Sequence, residues 1–200
     1  MKVIKVEPHG FASNSYILTV DDKTAVVVDP SEERILEILR YHNLECKYVL
    51  LTHGHFDHVG ACGVLNVIGA HICCNEREKD FIFSPDNSEI FGGVYIPQFE
   101  IFRTFSDGEK FNLCGIDFTA ISTPGHTVGG MCYIAGDHLF SGDTLFLRSI
   151  GRTDLPTGDY KTLNESIKKL FALPQNYKVC TGHGEETTLD DERKFNPYVR

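Results

Sequence analysis

The chain has 200 residues, 42% of them hydrophobic, enough to bury a core without disulfides or a structural metal. Its formal net charge of -9, with no basic run, argues against general affinity for nucleic acid or anionic lipid. Seven cysteines, an odd number with no C-x-x-C pair, exclude a complete disulfide framework and suit reduced core residues in a cytoplasm. Met1 to Lys5 leads straight into alternating strand sequence, without an apolar signal region or a long apolar span, so a cytoplasmic protein with no membrane partner is expected.

Val3 to Val6, Ser13 to Val20 and Thr24 to Val28 read as an antiparallel opening, broken at Gly10 and at Asp21-Asp22-Lys23. Asp29-Pro30-Ser31 stops the third strand and offers Ser31 as a helix cap, after which Ile35, Leu36, Ile38 and Leu39 recur at helical spacing. An aspartate closing a strand before proline is usually turn chemistry, which is the preferred reading of Asp29 over a catalytic one. Tyr48 to Leu51 is a buried strand, and it runs into Thr52-His53-Gly54-His55-Phe56-Asp57-His58. Imidazoles suit zinc, iron or copper, and a carboxylate adds a harder oxygen ligand. With no cysteine in the cluster, a hydrolytic or iron centre fits better than a thiolate-rich structural one. His53 and His55 point the same way from an extended segment, while Asp57 and His58 fall past the bend, so the spacing asks for more than one metal.

Val59 to Ile68 reads as a helix, Ala70 to Cys74 as a strand and Glu76 to Phe83 as a short charged helix. Ser84 to Asn87 and Phe91 to Pro97 are turn-rich; Phe91 and Tyr95 either shape a substrate entrance or pack their loop against the core. Strands are expected at Glu100 to Thr104, Lys110 to Leu113, Ile116 to Ser122, Met131 to Ala135, His138 to Ser141 and Tyr177 to Cys180, with a helix over Tyr160 to Ala172. His126, Asp143 and His183 each follow such a strand beside a glycine, as His53 follows Leu51-Thr52. His9, His42, His71 and His138 lack that context and read as ordinary surface or core histidines.

In order, His53-x-His55-x-Asp57-His58, Pro124-Gly125-His126-Thr127, Ser141-Gly142-Asp143-Thr144-Leu145-Phe146 and Thr181-Gly182-His183-Gly184 resemble the motifs of the metallo-β-lactamase superfamily over nearly the whole chain. Gly151-Arg152-Thr153-Asp154-Leu155-Pro156 and the ending Glu192-Arg193-x-x-Asn196-Pro197 resemble its short glyoxalase II-like, or hydroxyacylglutathione hydrolase-like, branch. The resemblance implies an α/β fold, an αββα sandwich of two mixed sheets with outer helices, formed by a single domain over residues 1–200. It implies two divalent metal ions, zinc first with iron or manganese as alternatives. His53, His55 and His126 would hold one ion, Asp57, His58 and His183 the other, and Asp143 would bridge them. A bridging hydroxide would be the nucleophile, with Asp57 and Asp143 as the catalytic carboxylates and an acyl thioester such as S-lactoylglutathione as the small-molecule substrate.

Arg152 is expected either to bind a substrate carboxylate or to brace its loop against Asp154 or Asp159. Glutathione-specific relatives carry Gly-Lys-x-Tyr where this chain has Gly151-Arg152-Thr153-Asp154, and they add a C-terminal helical domain not expected here, which implies poor selectivity for the glutathione moiety. The alternatives are a persulfide dioxygenase with one iron on two histidines and an aspartate, which the Gly-Arg-Thr-Asp stretch also resembles, and a non-catalytic metal-binding module, disfavoured because all seven ligand positions are filled. β-Lactam hydrolysis and ribonuclease activity are not expected without an export signal or a basic surface.

Overall fold

In the computed structural model, which describes residues 1–89, 93 and 95–199, side-chain alternation sorts the apolar residues into three layers of core. β1 (Lys2–Val6), β2 (Ser15–Thr19) and β3 (Thr24–Val28) pair antiparallel, and β4 (Glu45–Leu50), β5 (His71–Asn75) and β6 (Ile101–Phe105) extend the sheet in parallel. A second mixed sheet is ordered β14 (Thr187–Thr188), β13 (Lys178–Thr181), β10 (His138–Gly142), β9 (Met131–Ala135), β8 (Ile116–Ser122), β7 (Lys110–Leu113). On β3, Val26 and Val28 face the second sheet while Ala25 and Val27 face outward. Tyr133 and Phe140 answer them from β9 and β10, and Phe105 stacks on Phe111 at 3.8 Å between the sheets.

Helices close the two outer faces. α1 (Ile35–Tyr41), α3 (Cys62–Val67) and α4 (Glu76–Ile82) bury Ile35, Leu39, Leu65 and Ile82 against the first sheet. α6 (Tyr160–Phe171) and α7 (Leu189–Phe195) bury Leu163, Ile167, Leu170 and Leu189 against the second. The result is the αββα sandwich, and every loop that carries a candidate ligand leaves the C-terminal end of a strand. Among the described residues no helix is long and apolar enough to cross a membrane. All seven cysteines are free, six of them buried and Cys114 partly so.

Four local expectations are corrected. Ser31 caps nothing: it is buried, its hydroxyl donates to Ser13 O at 2.9 Å, and α1 begins later with no side-chain cap on Arg34. The helix expected over Val59 to Ile68 is two short ones, α2 (Phe56–Val59) and α3, parted where the Ala61 N–H turns away to Pro30 O at 2.8 Å. Ser84-Pro85 opens α5 (Pro85–Glu89) instead of a turn, with the Ser84 hydroxyl accepting the Asn87 N–H. A small hairpin, β11 (Leu145–Phe146) with β12 (Ser149–Ile150), follows Asp143 where no strand was expected.

Candidate metal centre

Five strand ends converge. β4 delivers His53, His55, Asp57 and His58, the last two on α2; β8 delivers His126, β10 Asp143, β13 His183, and β3 delivers Asp29. Three groups of side chains each bring one ligand atom per residue within 4.8 Å of one another: His53, His55 and His126; His53, His58 and Asp143; Asp57, His58 and His183. His126 Nε2 lies 2.9 Å from His55 Nδ1, and the His53 and His58 rings lie 4.0 Å apart. The Asp143 carboxylate stands between the outer groups, with Oδ1 3.3 Å from His58 Nε2 and Oδ2 3.5 Å from His126 Nε2 and 3.6 Å from His183 Nε2. Asp57 Oδ2 meets His183 Nε2 at 3.1 Å. All seven residues expected from the motifs are therefore gathered in one place.

The hydrogen bonds behind the rings decide which nitrogens face the centre. A carbonyl only accepts, so His126 Nδ1 donates to Arg152 O at 2.8 Å and its Nε2 lone pair points inward. Thr52 donates its hydroxyl to Asp29 Oδ2 at 2.6 Å, which leaves the oxygen to accept from His53 Nδ1 at 3.1 Å. Asp29 Oδ2 also accepts from His58 Nδ1 at 3.0 Å, and Asp29 Oδ1 accepts the Thr52 N–H at 2.7 Å. Asp29 is thus more than turn chemistry: in left-handed backbone at φ 49°, it orients two of the histidines from behind. The sequence signal for it is a carboxylate closing β3, the strand paired beside the motif strand β4.

Burial and neighbouring imidazoles push His53 well below the usual histidine range and His55 down to about 3, so both are neutral and able to ligate. Burial opposes charge at His58, but Asp143, Asp29 and Asp57 outweigh it and hold the ring well above its usual range. The same pairing, led by His58 against the cost of burial, keeps Asp143 far below the carboxylate range. Positive charge is wanted where three carboxylates meet. His53 Nε2 is buried with no hydrogen-bond partner among the described residues, an unmet lone pair aimed into the cluster. Five histidines, three of them (His53, His58 and His126) with Nδ1 committed behind the ring, two carboxylates in the cluster and no thiolate form a donor set that fits divalent zinc, iron or manganese.

The remaining expected residues lie apart. Arg152 forks onto Asp154, with Nε and Nη2 donating at 2.8 and 2.7 Å, and both side chains are more than half exposed. Its side chain braces the loop, while its carbonyl serves His126. Arg152→Lys is therefore expected to leave the Michaelis constant for an anionic thioester within about twofold, since an exposed pair of this kind carries little energy. A tenfold rise for anionic but not neutral substrates would return Arg152 to the substrate. Tyr95 is exposed on a cavity of about 370 Å³ whose walls include Ile82, Phe83, Pro85, Ile96 and Gln98 and none of the seven clustered residues. Phe91 lies outside the described residues. Phe146, not singled out by the sequence, sets its ring edge-on to His183 at 6.3 Å, and His183 is itself 38% exposed.

A family model of the metallo-beta-lactamase superfamily matches residues 9–183. The chain is 37% identical over 199 residues to hydroxyacylglutathione hydrolase GloC of Haemophilus influenzae, covering 95% of this chain and 94% of that one. Among solved structures it is similar to the BLEG-1 B3 metallo-beta-lactamase, with a TM-score of 0.92, 32% identity and 99% of each chain covered. It is also similar to TTHA1623 in a di-iron-bound form, with a TM-score of 0.87, 32% identity and 98% and 100% of the two chains covered.

Proposed function

The chain belongs to the metallo-beta-lactamase superfamily, and from that premise we propose that it hydrolyses acyl thioesters in the manner of glyoxalase II, with two divalent ions, zinc ahead of iron or manganese. The observation that carries the reading is the pair of adjacent ligand groups, His53, His55 and His126 beside Asp57, His58 and His183, with Asp143 between them. Two such groups are more than a closed four-ligand structural site needs, which also weighs against a non-catalytic module. When bound, two divalent ions supply Lewis acidity, acidifying a water and polarising a carbonyl.

The chain's own residues orient that chemistry. Asp29 and Thr52 fix the His58 and His53 rings, the Arg152 carbonyl fixes His126, and the Asp143 carboxylate lies between the two ligand groups. Burial works against ionisation of Asp57, yet His58 and His183 hold its carboxyl below the usual range, so it stands as a carboxylate beside His183. A thiolate, from a thiol of pKa about 8.5, departs without a general acid, so a site built wholly from ligands and their supports suffices for a thioester.

With Arg152 and Asp154 neutralising one another, Arg152 offers no spare charge to a glutathione carboxylate. We expect kcat/KM for S-D-lactoylglutathione and for the matching N-acetylcysteamine thioester to agree within about tenfold, a span smaller than one charge-assisted contact is worth. The test is a panel of these two thioesters, a persulfide and a β-lactam, read by thiol release, oxygen uptake and ring opening. Thiol release without oxygen uptake is the expected result. Oxygen consumed with the persulfide would favour the mononuclear iron reading, and preferential ring opening would favour a lactamase.

A further inference from the structure

The charged run Glu76-Arg77-Glu78-Lys79-Asp80 keeps one carboxylate indoors. Glu78 is fully buried, on the face of α4 that also presents Phe81 and Ile82. Its Oε1 accepts the Gly54 N–H at 2.8 Å, and its Oε2 accepts the Thr127 hydroxyl at 3.0 Å and the Gly129 N–H at 2.8 Å. Gly54 sits between His53 and His55, and Thr127 follows His126. One carboxylate thus ties together the two loops that supply a complete histidine triad. Both loops are glycine where they meet it: a Cβ on Gly129 would stand 2.5 Å from Oε2, and one on Gly54 would stand 3.3 Å from Oε1 and 2.4 Å from Ile82 Cγ1. The Asn87 amide donates to Gly54 O at 2.7 Å, so that peptide is gripped from both sides, and the Phe81 ring sets against the His55 ring at 5.7 Å.

Burying a carboxylate is costly unless its lone pairs are met, and here every donor comes from one ligand loop or the other. An apolar side chain would fill the space and leave the Gly54 and Gly129 N–H groups buried without an acceptor. We propose that Glu78 is the positioning residue that sets the separation of the His53-His55 loop from the His126 loop, and with it the affinity for the ion that triad would hold. The inference rests on the two-ion reading above. Glu78→Gln keeps the size but turns one oxygen into a donor, which must then oppose a donor of one loop.

Equilibrium zinc titration against a competing chelator tests this on the whole chain, with thermal stability measured in parallel. Glu78→Gln is expected to weaken one of the two equivalents about 10- to 100-fold, the range for loss of a partner that orients metal ligands, and to leave the other within about threefold. Thr127→Val, which removes one of the three donors, should weaken the same equivalent by a smaller factor and decides the matter if Glu78→Gln does not fold. Leu170→Ala, a cavity in the α6 layer away from both loops, should lower stability and leave both affinities alone. Unchanged affinities in both Glu78→Gln and Thr127→Val, or loss of both equivalents in step with stability, would overturn the role of Glu78 while leaving two ions in the wild type. A wild type that binds no zinc would overturn the two-ion reading itself.

Discussion

Asp143→Asn is expected to lower thioester turnover at least about a thousandfold, roughly 4 kcal/mol of lost transition-state stabilisation, and to reduce the metal retained from two ions per chain to one. The asparagine has one oxygen where Asp143 has two: Oδ1 faces His58, and Oδ2 lies between His126 of one ligand group and His183 of the other. Its amide would put a donor among imidazole nitrogens that are committed to face inward, and would remove the negative charge that offsets two cations. His138 lies on the same strand, β10, at its opposite end, paired with Asp137 Oδ1 at 2.7 Å. His138→Asn should leave metal content and turnover within about twofold of the wild type, because this mostly buried ring touches none of the seven clustered residues. Metal analysis and a thiol-release assay on both variants check this. Full metal and full turnover in Asp143→Asn would remove the bridge.

Asp29→Asn separates orientation from turn chemistry. Asparagine tolerates left-handed backbone, so at φ 49° the local fold survives, and if Asp29 only closed a turn the change would be nearly neutral. In the structure Oδ2 accepts from both Thr52 Oγ1 and His58 Nδ1. An amide NH2 there meets two donors, so His58 loses the acceptor that fixes its Nδ1 side, and with it the orientation of Nε2 toward the centre. One metal equivalent should then weaken about 10- to 100-fold, with stability reduced by only about 1 to 3 kcal/mol. Zinc titration together with the ring-nitrogen shifts of His58 by NMR reads both effects. An unchanged affinity with unchanged His58 ring-nitrogen shifts would return Asp29 to a purely structural part.

The strands most legible in the sequence were β3, β7, β8 and β9, whose ends fall at Thr24–Val28, Lys110–Leu113, Ile116–Ser122 and Met131–Ala135 as expected. The gathering of the ligands was legible for a different reason: all but Asp57 and His58 sit beside a glycine just past a strand end, and parallel and antiparallel pairing alike bring those ends to one edge of the sandwich. Elements of two residues, such as β11 and β14, have no period to detect. α7 was missed although Thr188, which accepts the Asp191 N–H, marks its start. Ser31 misled because a serine after proline has the composition of a cap, and only the tertiary pairing with Ser13 and Ser15 takes its hydroxyl elsewhere. Glu78 was hidden by its charged neighbours; its spacing of three and four to Phe81 and Ile82 was the available clue that the residue points inward. The supports behind a centre are chosen by distance in space, and sequence spacing carries little of that.

The most direct test of the two-ion thioesterase is to titrate metal into metal-free protein and follow thioester hydrolysis and bound ions together. Turnover that rises until two equivalents are bound, with Asp143→Asn stopping at one equivalent and about a thousandfold below, is the predicted result. Full turnover at a single equivalent, with no further ion taken up, would contradict it.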